Sequence, residues 1–152
     1  MHIGYDSVWK QRTAQEQEHH EGIVIAYKRN LFQLFKTVPI ELNRAADAET
    51  INIRKQCYTD DVAMLAFLQP WPSHYLKTAL CVCCAMLADT PASGNPESAD
   101  VRLFQSKFIA RTIEIANKEF QLPVVMGISM HDQPVSPSYH VFRTGRVPMM
   151  PI

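Results

Sequence analysis

The chain has 152 residues, 47% of them apolar, and its 15 basic and 15 acidic side chains cancel to no formal net charge. That length fits one domain, which buries roughly 70% of the surface of its unfolded chain, and the zero balance excludes a global field steering it to nucleic acid or anionic lipid. The longest unbroken apolar run, 79–88, is half the ~20 residues of a membrane span, and the polar first twenty residues lack a secretory pattern, so a soluble chain without a standard export signal is expected.

Asp6 or Ser7 can cap a first helix reaching Glu21, with Gly22 as its stop and Val8, Trp9 and Ala14 as a thin apolar stripe. In 22–38 the run Ile23, Val24, Ile25 favours a strand, and Asn30 suits a three-residue hairpin loop. A helix with Ile23, Tyr27, Leu31, Leu34 and Val38 on one face is the rival; the hairpin is preferred, closed by Pro39. Residues 40–50 form a connector. Alternation of Ile51, Ile53, Lys55 and Cys57 with polar neighbours suggests a half-exposed strand. Thr59-Asp60-Asp61 is turn chemistry, and 62–68 is a buried strand or a short helix, read as part of a second hairpin.

Pro70-Trp71-Pro72 forces an extended corner, and Ser73 can cap a core helix over 74–89. Its apolar residues Leu76, Ala79, Leu80, Cys83, Cys84 and Leu87 share one helical face. Val82, Ala85 and Met86 on the reverse are small enough to meet an oligomeric neighbour. After a loop, Asn95, Pro96 and Glu97 start a second helix over 96–120, with Val101, Phe104, Phe108, Ile115 and Phe120 at helical spacing. Beyond 122, five prolines and no helical pattern predict an extended arm, with 124–130 as its one edge strand. Tyr139, Phe142, Arg143, Arg146, Met149 and Met150 give that arm apolar and basic groups that need a surface. The fold class is thus α+β: a helix hairpin on a small, mainly antiparallel sheet in a domain over 1–122, with an arm over 123–152.

Chemistry-bearing motifs are sparse. Cys81 and Cys84 form a C-x-x-C, but it falls inside the predicted helix rather than at the N-terminus a redox dithiol needs. Three cysteines crowded together are unlike a disulfide framework and suit a reducing compartment. Zinc would need further donors such as His74 and Cys57. Glu16, His19, His20 and Glu21 could hold a metal, yet a solvated polar face explains them. Ser129, His131 and Asp132 contain triad residue types, but at a sequence separation too small for the convergence a triad requires. Asp60 and Asp61 read as turn residues. No Walker loop, G-x-G-x-x-G, H-E-x-x-H or G-x-S-x-G occurs. Arg143 and Arg146 with Tyr139 and Phe142 could touch nucleic acid; docking on a neighbouring subunit is preferred. No catalytic residue, metal ligand or cofactor is assigned.

The stretches YLKTALCVCCAMLAD, TPASGNPESAD and VRLFQSKFIARTIEIANKEF, following a β-rich section, resemble the adaptor proteins of tailed phages, the head-to-tail connector or tail tubular protein A class. The front departs from that pattern, with one short polar segment in place of a helix pair. The resemblance implies a non-enzymatic virion protein assembled in the host cytoplasm. Its copies would form a homo-oligomeric ring between portal and tail proteins, passing DNA through the lumen and making no membrane contact. Alternatives from other classes are a small cytosolic thiol or metal enzyme using Cys81, Cys84 and His74, and a regulatory module whose arm recruits a partner.

Overall fold

The computed structural model describes residues 4–13, 21–48, 59–73, 75, 77–88 and 96–145. Six strands occur in chain order: β1 (Tyr5–Gln11), β2 (Gly22–Lys28), β3 (Phe32–Glu41), β4 (Val62–Pro70), β5 (Leu80–Met86) and β6 (Val124–Ser129). A 3-10 helix (Leu42–Ala48) follows β3, α1 (Pro96–Asn117) connects β5 to β6, and α2 (Pro137–Thr144) follows β6. Strands β1 and β2 pair as one two-stranded antiparallel sheet, and the others form a second sheet in the order β3-β4-β5-β6. The β3–β4 and β4–β5 pairs are antiparallel; β5 and β6 run parallel.

Alternation of side chains across the larger sheet separates two cores. On one face Leu65, Phe67, Cys81, Cys83, Ala85 and Leu87 meet Phe108, Ile109 and Ile113 of α1 and Phe142 of α2. On the other, Met64, Ala66, Val82, Cys84 and Met86 meet Val8, Ile23 and Ile25 of the β1–β2 sheet. The order of layers is helix, four-stranded sheet, two-stranded sheet. Covered from both sides, β4 has all of its residues buried except Gln69, and its sequence loses the alternation of a half-exposed strand.

Double coverage also corrects the first predicted core helix: 80–86 is β5, not helix. A short apolar run cannot be told from a buried helix by period alone. With it goes the helix hairpin, while the α+β class holds. Of the two helical predictions here, 96–120 is realised as α1, and its length is explained by its task. Parallel neighbours need a crossover, and 22 residues reach about 33 Å at 1.5 Å per residue.

Near the N-terminus, residues 5–11 form β1 where a helix was expected; the segment 14–20 lies outside the described residues. Both strands expected in 22–38 exist, but they do not pair with each other. The turn at 29–31 carries the chain from one sheet to the other, held by Trp71, whose Nε1 donates to the Arg29 carbonyl at 2.7 Å. Residues 62–68 are strand as preferred, paired with β3 and β5; the partner strand expected over 51–58 is outside the described residues.

The expected C-terminal arm is corrected too. The edge-strand reading of 124–130 is realised in β6, but the following prolines do not keep the chain extended. Pro137 occupies the start of α2, where its missing N–H costs nothing; Ser136 Oγ accepts from Tyr139 N at 3.2 Å, and Gly145 ends the helix at φ 69°. Asn117 closes α1 by bonding both the N–H and the carbonyl of Leu122 at 3.0 and 2.8 Å.

A bulge between Leu34 and Lys36 in β3 turns two consecutive side chains toward the helix layer. Phe35, Phe67 and Phe120 form a ring cluster with centroids 5.5–5.9 Å apart. Lys36 Nζ lies 5.1 and 5.0 Å from the Phe67 and Phe120 centroids and donates to the Ala116 carbonyl at 3.3 Å. This clamp holds the end of α1 on the sheet.

Two predictions follow from the packing. A Cβ on Gly22 would meet the Lys10 carbonyl oxygen at 2.5 Å and Gln11 Cα at 3.0 Å, both backbone atoms, so Gly22→Ala should lower stability by about 1–3 kcal/mol in urea unfolding. Burial pushes Cys81 up to about 11 and Cys83 up to about 12 from the ordinary 9.0, with Lys36 partly offsetting the rise at Cys81. These two thiols should resist a thiol reagent at pH 8 until the chain unfolds, read by peptide mapping. Because unfolding returns them to ordinary thiols, the stability they carry is complete below pH 9 and falls as pH climbs from 9 toward 12; Cys83→Ala should flatten that fall.

Candidate functional site

One end of the layered sheets gathers the polar groups. There β3 finishes at Glu41, β4 begins after Asp61, β5 finishes at Met86, and β6 finishes at Ser129; Glu41 is opposite Val62, and Met86 opposite Ser129. The open end of the β1–β2 pair, at Gln11 and Gly22, lies over the same edge, because Thr13 N donates to the Asp60 carbonyl at 3.2 Å.

A continuous set of hydrogen bonds crosses this end. Arg12 donates to Glu21 Oε2 at 3.1 Å and to Asp61 Oδ1 at 3.0 Å. The other Asp61 oxygen accepts from Gln105 Nε2 of α1 at 3.2 Å, and the same nitrogen donates to Thr59 Oγ1 at 2.8 Å. Gln105 Oε1 accepts from Ala88 N at 2.9 Å, and next to it Leu87 N donates to the Ser129 carbonyl at 3.0 Å. Asp61 and Gln105 are almost wholly buried, so each polar atom depends on its partner. Lys10 to Glu41, at 3.1 Å, adds a second tie between the sheets.

At the exposed margin, Ser129 Oγ and His131 Nε2 are 3.0 Å apart. His131 adopts φ 47°, a left-handed conformation in which histidine is enriched among non-glycine residues. Asp132 does not complete a triad: its carboxylate lies 3.5 Å from Arg102 Nε and accepts from Gln133 N at 2.9 Å. The geometry therefore offers a hydroxyl–imidazole pair able to pass a proton, beside an arginine whose charge is shared by two carboxylates.

Residues singled out in the sequence fall elsewhere. Cys81 and Cys84 point to opposite faces of β5, Cys81 among the helices and Cys84 toward the hairpin, so the C-x-x-C cannot close on itself. Burial raises the pKa of Cys84 as well, leaving no activated thiolate among these three. Val82 and Met86 pack against β1–β2, and Ala85 packs beneath the helices. Tyr139, Phe142 and Arg143 do come together, lining a groove of about 350 Å³ with Met126, Ile128 and Met130. Arg146, Met149, Met150, His74 and Cys57 lie outside the described residues, as do Glu16, His19 and His20. Among the described residues no three His, Cys, Asp or Glu side chains converge as metal donors. Asp60 and Asp61 precede β4 as turn residues should, but the link of Asp61 to Arg12 and Gln105 carried no sequence signal: the partners are 49 and 44 residues away.

No protein-family model matches the chain, and no curated protein does. Solved structures do match, and they share the endonuclease/exonuclease/phosphatase fold named for one of them, from Bacteroides thetaiotaomicron. ANGEL2, described as a 2',3'-cyclic phosphatase, is 24% identical with a TM-score of 0.71, the match covering 95% of this chain and 37% of that one. The human Nocturnin catalytic domain is 16% identical at TM-score 0.71, over 93% of this chain and 48% of the other. A Bacteroides thetaiotaomicron mannosyl-6-phosphatase is 12% identical at TM-score 0.68, covering 94% and 49%. This chain thus has their fold but spans less than half the length of each.

That likeness overturns the phage-connector resemblance. The pattern behind it required a helix where β5 stands, and the matched folds are those of phosphatases and a nuclease-type family. The non-enzymatic virion function, the ring of copies and the portal, tail and DNA partners are corrected with it.

The polar link predicts a specific cost. Gln105→Met keeps bulk but leaves Ala88 N and Asp61 short of partners inside the protein; urea unfolding should show a loss of about 2–3 kcal/mol.

Proposed function

We propose that this chain belongs to a phosphoester-hydrolysing protein, with the polar strand end around Arg12, Ser129 and His131 as the place where a phosphate ester meets the fold. The observation that carries the reading is the convergence of both sheets' ends on the Arg12–Asp61–Gln105 link, with the Ser129–His131 pair at its exposed margin. The fold neighbours support it: ANGEL2 was solved with adenosine-2',3'-vanadate and Nocturnin with sulfate, anions with the charge or shape of a phosphate group.

In this reading His131 exchanges a proton with the ester or with attacking water, and Ser129 Oγ, 3.0 Å away, orients the imidazole. Arg12 supplies a donor that the flanking carboxylates Glu21 and Asp61 keep fixed in direction. A thiol mechanism finds no support, because Cys81, Cys83 and Cys84 are all held toward the neutral form.

The test is release of product from adenosine 2',3'-cyclic phosphate and from p-nitrophenyl phosphate by the 152-residue chain. Turnover above buffer is expected for at least one ester, with His131→Ala lowering kcat by tenfold or more, in keeping with the ~10²–10⁴ of acid–base catalysis. The reading is wrong if neither ester is turned over, or if His131→Ala is as fast as the parent.

A further inference from the structure

The outer face of the β1–β2 pair does not have the chemistry of a water-facing surface. Register places Tyr5 opposite Lys28, Ser7 opposite Ala26, Trp9 opposite Val24 and Gln11 opposite Gly22, and these eight residues form the face turned away from the core. Only Lys28 is charged. Trp9 is 70% exposed and Val24 58% exposed, side by side on neighbouring strands. They border a hollow of about 410 Å³ with Lys10, Gln11, Glu21, Gly22 and Ile23, large enough for bulky side chains. An antiparallel sheet with one face on a core normally turns polar groups to solvent, and contiguous exposed apolar surface marks an interaction site.

The sheet edges tell the same story. Among the described residues nothing pairs with the outer edges of β1 and β2, nor with the far edge of β6. A two-stranded sheet is marginal by itself. β6 reads VVMGIS, with no charge and no proline to block strand addition, and its Val125 is 51% exposed.

What would cover these surfaces follows from the matched folds. This chain is almost entirely accounted for by ANGEL2, Nocturnin and the mannosyl-6-phosphatase, yet it covers only 37%, 48% and 49% of them. From that we infer that the Trp9–Val24 face and the open strand edges are a docking surface for a separate polypeptide carrying the complementary part of the same fold. Its strands extend the sheets, and an amphipathic helix lies over Trp9. The inference rests on fold likeness and packing alone, and it stands or falls separately from the phosphoester reading.

The probe is the portion of ANGEL2 outside the matched region, produced as its own polypeptide and mixed with the full 152-residue chain. Light scattering with size separation should report a 1:1 complex, and Trp9 emission should shift to the blue as the ring leaves water. Trp9→Lys and Val24→Lys alter exposed side chains, so circular dichroism should stay that of the parent while binding weakens at least tenfold. No association, or binding unaffected by both substitutions, overturns the inference. So does a stable dimer of the chain alone that buries Trp9 and excludes the probe, since a second copy would then be the occupant.

Discussion

Burial of β4 on both faces is the constraint from which the rest of the structure follows. A strand with only Gln69 exposed among nine residues needs an apolar layer on each side. Leu65 and Phe67 require the helices, while Met64 and Ala66 require the hairpin. Its flanking strands inherit the same two-sided demand, strongly in β5 and less so toward the edges. Asp61, at the start of β4, is where the apolar sandwich ends and charge must be handled. Its carboxylate is as buried as the strand itself, so Arg12 comes from one layer and Gln105 from another to satisfy it.

Positioning of the candidate site is a by-product of that arrangement. The polar link ties the hairpin, the large sheet and α1 together at one end, and the loop after β6 emerges there with Ser129 and His131. Catalytic groups on such a margin are held by strands that cannot slide without exposing the core. The opposite situation holds on the far side of the hairpin, where an apolar face has no layer over it. One molecule therefore combines a well-satisfied polar end with an unsatisfied apolar flank, and the fold shared with much longer proteins accounts for both.

How much of this was legible depends on which physical signal a residue carries. Ile23, Val24 and Ile25 announced a strand through β-branching, and Asn95-Pro96-Glu97 announced α1 through helix-start chemistry. The run Leu80–Met86 misled, because burial on both faces erases the alternation that distinguishes strand from helix. Pro137 misled in another way: counted with other prolines it suggested an arm, but between Ser136 and Gly145 it marks a capped helix. Pairing was less legible than the strands themselves, since the 29–31 turn has hairpin chemistry yet joins different sheets. Least visible was the site. Arg12, Asp61 and Gln105 meet only after the layers assemble, and their hydrogen bonds leave no trace in local spacing.

The parallel β5–β6 pair has a temporal consequence. Its strands are separated by the whole of α1, so they cannot zip from a tight turn as the antiparallel β1–β2 pair can. Closing such long connections delays the contacts that reward them. While that crossover is unfinished, the uncharged segment LCVCCAM presents an unoccupied edge to solvent. The nascent chain is then most open to association with other unfolded chains, and synthesis must carry it through α1 to β6 before that exposure ends.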